Sequence, residues 1–238
     1  MKFILAKNKE EVADISAKMF IDAIKENPSI HLCLATGSTP VDMYQKLIEA
    51  NEKNEISFKE VETFNLDNYL GIPVEDENNY EAFMRDNLFD HIDLPRENWI
   101  VPTSDPKIAH EFCKEYEQMI DEKGIDLCLL GIGENGHIAF NEPADKLNPY
   151  TQIIELTEDT IEVNSRFFEK IEDVPTQAIT MGIGTIMKAK KIVLLATGPK
   201  KKYAMEKLYK EQIVDPNFPV SLLYLHPDVT IITDSIDE

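Results

Sequence analysis

Along the chain, short continuous apolar runs alternate with stretches in which apolar residues return every three or four positions. Lys2–Ala6, Ile30–Leu34, Val61–Leu66, Ile125–Leu130, Lys191–Leu195, Val220–Leu225 and Val229–Thr233 are runs of the first kind and predict strands. Helical spacing begins at Val12, Ile15, Met19 and Ala23, after an Asn8–Glu11 capping box, and stops at Pro28. A second helix is predicted with Thr39 as N-cap, Pro40 as first helical residue, and Tyr44, Leu47 and Ile48 facing inward. Asn78–His91 reads as a third, through Tyr80, Phe83, Met84 and Leu88. Ile108, Phe112, Tyr116 and Ile120 mark a fourth, ended by Gly124. Leu147–Val174 is polar with a weaker apolar pattern and suggests a helical flap rather than a core layer. Gln177–Met187 leads into a short helix. No Ser-, Gly- or Pro-rich linker divides residues 1–238, so one domain is expected. Alternating strands and helices indicate an α/β fold: an open, doubly wound, mostly parallel Rossmann-like sheet with helices on both faces.

Charge narrows the function classes. The net charge of −20 argues against nucleic acid or an anionic membrane as partner, since both need basic surface. The Lys200-Lys201-Lys202 run therefore stands out, either as a solvated helix face or as an anion site. Cys33, Cys113 and Cys128 form an odd set without a CxxC pair. Cys33 and Cys128 sit in apolar runs, which favours buried, reduced thiols, a cytoplasmic location and no metal site. Met1–Lys7 is too short for a signal peptide, and no run is long enough to suggest a membrane span.

Chemistry concentrates in Gly131-Ile132-Gly133-Glu134-Asn135-Gly136-His137-Ile138-Ala139-Phe140-Asn141-Glu142-Pro143. The apolar run before it reads as a strand that stops at Gly131, and three glycines in six residues permit a sharp turn and close approach of a ligand. An imidazole and a carboxylate follow at once, a pairing suited to proton transfer on a small molecule. On the turn alone, a structural turn in which His137 only caps neighbouring groups is the alternative. Ala35-Thr36-Gly37-Ser38-Thr39-Pro40 also follows a strand and opens a helix, as an ordinary capped turn or a phosphate loop. Ala196-Thr197-Gly198-Pro199 echoes it before the lysine run. Asp67 ends the third strand, on the edge where open α/β sheets bind ligands. Position alone favours a cap or turn role for it. Arg166 is either a surface residue or a flap cation suited to clamp a phosphate.

Taken together, Ala35–Pro40, Phe64-Asn65-Leu66-Asp67-Asn68-Tyr69, Gly131–Pro143, Asn164-Ser165-Arg166-Phe167-Phe168 and Ala196-Thr197-Gly198 resemble, in this order, the motifs of glucosamine-6-phosphate deaminases. The resemblance runs along essentially the whole chain. It implies a cofactor-independent conversion of glucosamine 6-phosphate and water to fructose 6-phosphate and ammonia. By the same resemblance His137 opens the sugar ring, Glu142 orients and stabilises it, and Asp67 moves the C2 proton to C1. Gly37, Ser38, Thr39, Arg166 and Lys201 match the family's phosphate cradle, a small-molecule sugar phosphate being the partner. Relatives range from monomers to hexamers, so self-association is open.

Two departures from the family pattern matter. Asn135 stands where many relatives carry Asp, and a neutral amide orients the imidazole but stabilises imidazolium less. Allosteric relatives use basic residues just after the Glu-Pro motif to bind an N-acetylated sugar phosphate between subunits. Here Ala144-Asp145-Lys146 through Gln152-Ile153-Ile154-Glu155 is acidic or apolar at those places, and the longer C-terminal extension is lacking, so no allosteric activator is expected. The rivals are a 6-phosphogluconolactonase-type hydrolase, expected to lack the Phe64–Asp67 and Asn141–Pro143 stretches, and a non-catalytic sugar-phosphate sensor, expected to carry a basic DNA-binding module.

Overall fold

The computed structural model describes residues 1–165, 168 and 170–236; the side chains of Asp159, Val163 and Asn164 are not described. Seven parallel strands make the main sheet: β1 (Lys2–Leu5), β2 (His31–Leu34), β3 (Glu62–Asn65), β5 (Trp99–Ile100), β6 (Leu127–Leu130), β9 (Lys191–Ala196) and β10 (Val229–Thr233). Their spatial order is β1-β10-β9-β6-β2-β3-β5, every neighbour pair parallel. Strands covered on both faces need apolar residues at successive positions, which is why β6 and β9 are continuous apolar runs. All four residues of β6 are buried.

Helices α1 (Lys9–Glu26), α2 (Val41–Glu52), α3 (Tyr80–Asn87), α4 (Ala109–Lys123) and α7 (Lys202–Glu211) flank this sheet. At the start of α1, Asn8 Oδ1 accepts the Glu11 N–H at 2.9 Å, as the capping box predicts. The reciprocal arm differs: Glu11 accepts from the Lys7 N–H at 2.7 Å, one residue before the cap. Helix α4 ends at Gly124, whose N–H reaches the Ile120 carbonyl at 2.8 Å. Among the described residues no helix is long and apolar enough to cross a membrane.

Four expectations are corrected. Thr39 does not cap α2; Pro40 occupies the cap position, which has no side-chain cap hydrogen bond among the described residues. The chain past β3 does not stop at Asp67 but enters a second, antiparallel sheet, β4-β8-β7, formed by β4 (Asp67–Tyr69), β7 (Gln152–Glu155) and β8 (Gln177–Thr180). The 147–174 segment is consequently not a helical flap throughout: it holds β7, then α5 (Glu158–Asn164) and a 3-10 turn at Ile171–Asp173. Pro219–Leu225 is a 3-10 helix rather than a strand. Pro219 starts it, and Val220 and Leu223, three residues apart, point inward while Leu225 is exposed. The short helix after β8 is α6 (Ile183–Ile186).

Strand order locates the site. From β2 the chain builds outward through β3 and β5, whereas from β6 it builds the other way through β9 and β10. The β2–β6 pair is thus the switch point, where loops leaving the carboxyl ends diverge and open a crevice. Ala35–Pro40 leaves β2 and Gly131–Pro143 leaves β6; Thr197–Lys201 leaves the next strand, β9. The three motifs singled out in the sequence therefore share one edge.

Candidate active site

Asp67 stands two residues beyond the carboxyl end of β3, where Leu66 crosses to the second sheet. Leu66 donates its N–H to the Leu34 carbonyl at 3.3 Å and accepts from the Met181 N–H at 2.7 Å, stitching the two sheets on either side of the acid. Asn68 then anchors the segment: its amide donates to the Pro102 carbonyl at 2.8 Å, and its oxygen accepts the Tyr80 N–H at 3.0 Å. Held this way, Asp67 is only 7% exposed and, among the described residues, has no hydrogen bond or ion pair to its side chain. Burial pushes its carboxyl up to about 7. A buried carboxyl of this kind is a candidate proton acceptor.

The Gly-rich turn is folded back on itself. Gly133 donates to the His137 carbonyl at 2.9 Å, and Gly136 to the Gly133 carbonyl at 3.1 Å. A Cβ on Gly133 would fall inside the His137 imidazole. The glycine is therefore the floor of the ring's seat. Gly136, at φ +88, takes a conformation rare for L side chains, and a Cβ there would also meet the Phe218 ring. Val220 N–H bonds to the Gly136 carbonyl at 2.9 Å, so the 3-10 helix holds the turn from behind.

His137 Nδ1 lies 2.9 Å from Glu142 Oε1. That contact joins the imidazole to the carboxylate without meeting the geometry of a hydrogen bond. Asn135 donates its amide to Glu142 Oε2 at 2.7 Å and accepts the His137 backbone N–H at 3.1 Å. Asn135 thus holds both the imidazole's carboxylate neighbour and the histidine's own backbone. An aspartate in its place would set two carboxylates against each other at that distance, unless one kept a proton. Thr160 of α5 donates to Glu142 Oε1 at 2.9 Å. Burial alone would raise the Glu142 pKa, but the contacts from His137, Asn135 and Thr160 outweigh it and hold the group below the usual glutamate value. Environment drives the two carboxyls apart, Asp67 upward and Glu142 downward, the pattern that separates a base from a permanently charged stabiliser.

The loop carrying His137 and the strand carrying Asp67 meet at β8. Asp67 pairs with Thr180 in the antiparallel register, and the Thr180 hydroxyl accepts the Phe140 N–H at 3.0 Å. Asn141 donates to the Ile138 and Met181 carbonyls at 3.0 and 2.9 Å. Tyr80 stacks on Phe140 with ring centroids 6.3 Å apart and packs against Tyr69 at 5.0 Å.

Of the expected phosphate cradle, Gly37 and Ser38 are exposed and Thr39 half-buried at the uncapped start of α2. Free backbone N–H groups at such a terminus suit an anion. Lys201, half-buried, ends a 3-10 turn after β9. Lys200 pairs with Glu134 of the Gly-rich turn at 3.7 Å. Arg166 lies outside the described residues. Sequence reading missed Thr160, Gly133 and Phe218 as contributors. Only the Gly133 spacing carried a signal, and it did not say that an imidazole would fill the space.

The profile of a family described as glucosamine-6-phosphate isomerases/6-phosphogluconolactonase matches residues 6–232. The chain belongs to that family. A relative from Clostridium beijerinckii named glucosamine-6-phosphate deaminase is 47% identical over 235 residues, covering 98% of this chain and 97% of the relative. One of the same name from Shouchella clausii is also 47% identical, covering 98% and 95%. A solved structure of a monomeric glucosamine-6-phosphate deaminase superposes with a TM-score of 0.95 at 40% identity, covering 99% of this chain and 98% of the other. The family's other branch shares the fold at greater distance: a 6-phosphogluconolactonase from Thermotoga maritima gives a TM-score of 0.72 at 18% identity, covering 97% and 96%.

Proposed function

We propose that the chain is a glucosamine-6-phosphate deaminase, converting D-glucosamine 6-phosphate and water to D-fructose 6-phosphate and ammonia. The observation that carries this reading is the occurrence, at one sheet edge, of a buried Asp67 with no partner among the described residues and of a His137–Glu142 couple. Such a site offers two separate proton-transfer devices, and the deamination needs two. Near-full-length identity of 47% to proteins of that name supports the assignment.

In the first step His137 takes the proton of the anomeric hydroxyl and gives it to the ring oxygen, opening the sugar. Glu142, kept ionised by its donors, stabilises the imidazolium that forms between the two transfers. In the open chain C2–H is acidic because C1 is a carbonyl. Asp67 removes that proton while the substrate's ammonium yields one to the C1 oxygen, leaving an enolamine; the proton on Asp67 then returns to C1, so that C2 becomes an iminium. Water adds at C2 and ammonia leaves. C1 is reduced as C2 is oxidised within one molecule, so no outside oxidant or reductant and no cofactor is called for. The β2 and β9 loops would hold the 6-phosphate, with Gly37, Ser38 and Thr39 supplying N–H and hydroxyl donors and Lys201 and Arg166 supplying charge. Anchoring the far end of the sugar fixes C1 and C2 against Asp67 and removes much of the entropic part of the barrier.

The test is ammonia release from glucosamine 6-phosphate beside hydrolysis of 6-phosphogluconolactone. Ammonia without lactone hydrolysis is expected; the reverse would assign the chain to the lactonase branch. Ligand binding with no turnover would make it a sensor. In the same assay the acidic and apolar 144–155 stretch predicts hyperbolic kinetics that N-acetylglucosamine 6-phosphate does not activate. A sigmoidal curve sharpened by that compound would contradict this.

A further inference from the structure

The Thr160 hydroxyl sits at a junction that ring opening, as read above, does not itself require. Thr160 is 9% exposed and lies on α5, in a segment separate in sequence from the Gly-rich turn. Its hydroxyl donates to Glu142 Oε1 at 2.9 Å and accepts from the Thr157 hydroxyl at 3.0 Å. Thr157 in turn is the N-cap of α5, taking the Thr160 N–H at 3.2 Å. Because each hydroxyl has one proton, the chain runs one way, from the cap through Thr160 to the carboxylate, and each link polarises the next. The oxygen that Thr160 contacts is the one 2.9 Å from the imidazole, while Asn135 holds the other. Glu142 is thus faced by the titratable His137 and the neutral Asn135 of its own loop, and by Thr160 from outside it.

We propose that Thr160 is a positioning residue for the deaminase reaction: by completing the donors on Glu142 it ties the aim of the His137 imidazole to the seating of α5 over the site. The inference rests on the deaminase reading for its kinetic test, but its geometry does not. Thr160→Val keeps the shape and removes the hydroxyl; Thr160→Ser keeps the hydroxyl and removes the methyl. Thr160→Val is expected to lower kcat about tenfold, as for loss of one hydrogen bond to a charged group, with KM changed less than about twofold. Thr160→Ser should stay within about twofold of the wild type on both counts. A Thr160→Val enzyme with wild-type kcat would overturn the proposal, and so would Thr160→Ser as slow as Thr160→Val. If the wild type itself released no ammonia, the deaminase reading would fail separately. The His137 titration by NMR, compared between wild type and Thr160→Val, would still decide: displaced curves support the coupling, and coincident curves overturn it.

Discussion

Replacing Asp67 with Asn is expected to lower kcat for ammonia release about 10²- to 10⁴-fold, the usual contribution of a positioned base, while sugar-phosphate binding persists. The amide fills nearly the same space but cannot accept a proton. In the wild type the base must be ionised to act. With its carboxyl pushed up to about 7, kcat/KM should therefore climb as pH rises through neutrality. Stability changes with pH in the opposite direction and provides a control. A group whose folded pKa lies above the unfolded 3.8 is protonated in the native state across that window, so its ionisation opposes folding as pH rises from about 4 to 7. Asp67→Asn removes that penalty, an effect on the order of 4 kcal/mol at its upper limit. At pH 8 the variant should melt no lower than the wild type. An inactive variant that is also unfolded would point to a structural role; a fully active one would show that another group takes the proton.

Gly133→Ala should cost comparable activity by a different route. The added methyl would occupy the His137 ring. The imidazole ends a side chain that can rotate aside, so relief requires moving the ring rather than the backbone. The ring would leave Glu142, now 2.9 Å away, and a displacement on the order of 1 Å costs about 10²-fold in rate. Expected are kcat reduced about 10²-fold or more, KM little changed, and a melting temperature within a few degrees of the wild type. A normal kcat would mean that the ring's present seat is not its working position. A collapse in stability would mean that the turn, not the ring, had been forced to move.

Much of this site could be read from residues alone because parallel α/β sheets place function where strands end. The runs ending at Leu34, Leu130 and Ala196 are buried on both faces, and each is followed by a glycine-bearing turn, so fold and ligand edge came from one signal. The second sheet gave none. Its strands are three or four residues long, and β7 and β8 mix polar and apolar positions without clear alternation. Asp67 consequently read as a cap or turn residue, although the antiparallel pairing with β8 is what buries it. Val220–Leu225 misled for another reason: a continuous apolar run does not distinguish strand from helix, and Pro219 at its start decides for the latter. The Thr39 cap failed because Pro40 itself takes the cap position. Thr160 meets Glu142 across 18 positions, a contact that no local spacing encodes.

The proton shuttle itself can be followed with glucosamine 6-phosphate deuterated at C2 and turned over in ordinary water. A single carboxyl that is 7% exposed and has no hydrogen-bond partner among the described residues through which to exchange should return part of the label to the neighbouring carbon. Fructose 6-phosphate carrying deuterium at C1, lost on Asp67→Asn, is the expected result. Product with only protium at C1 and all of the label in the solvent, at every stage of turnover, would contradict direct transfer by Asp67.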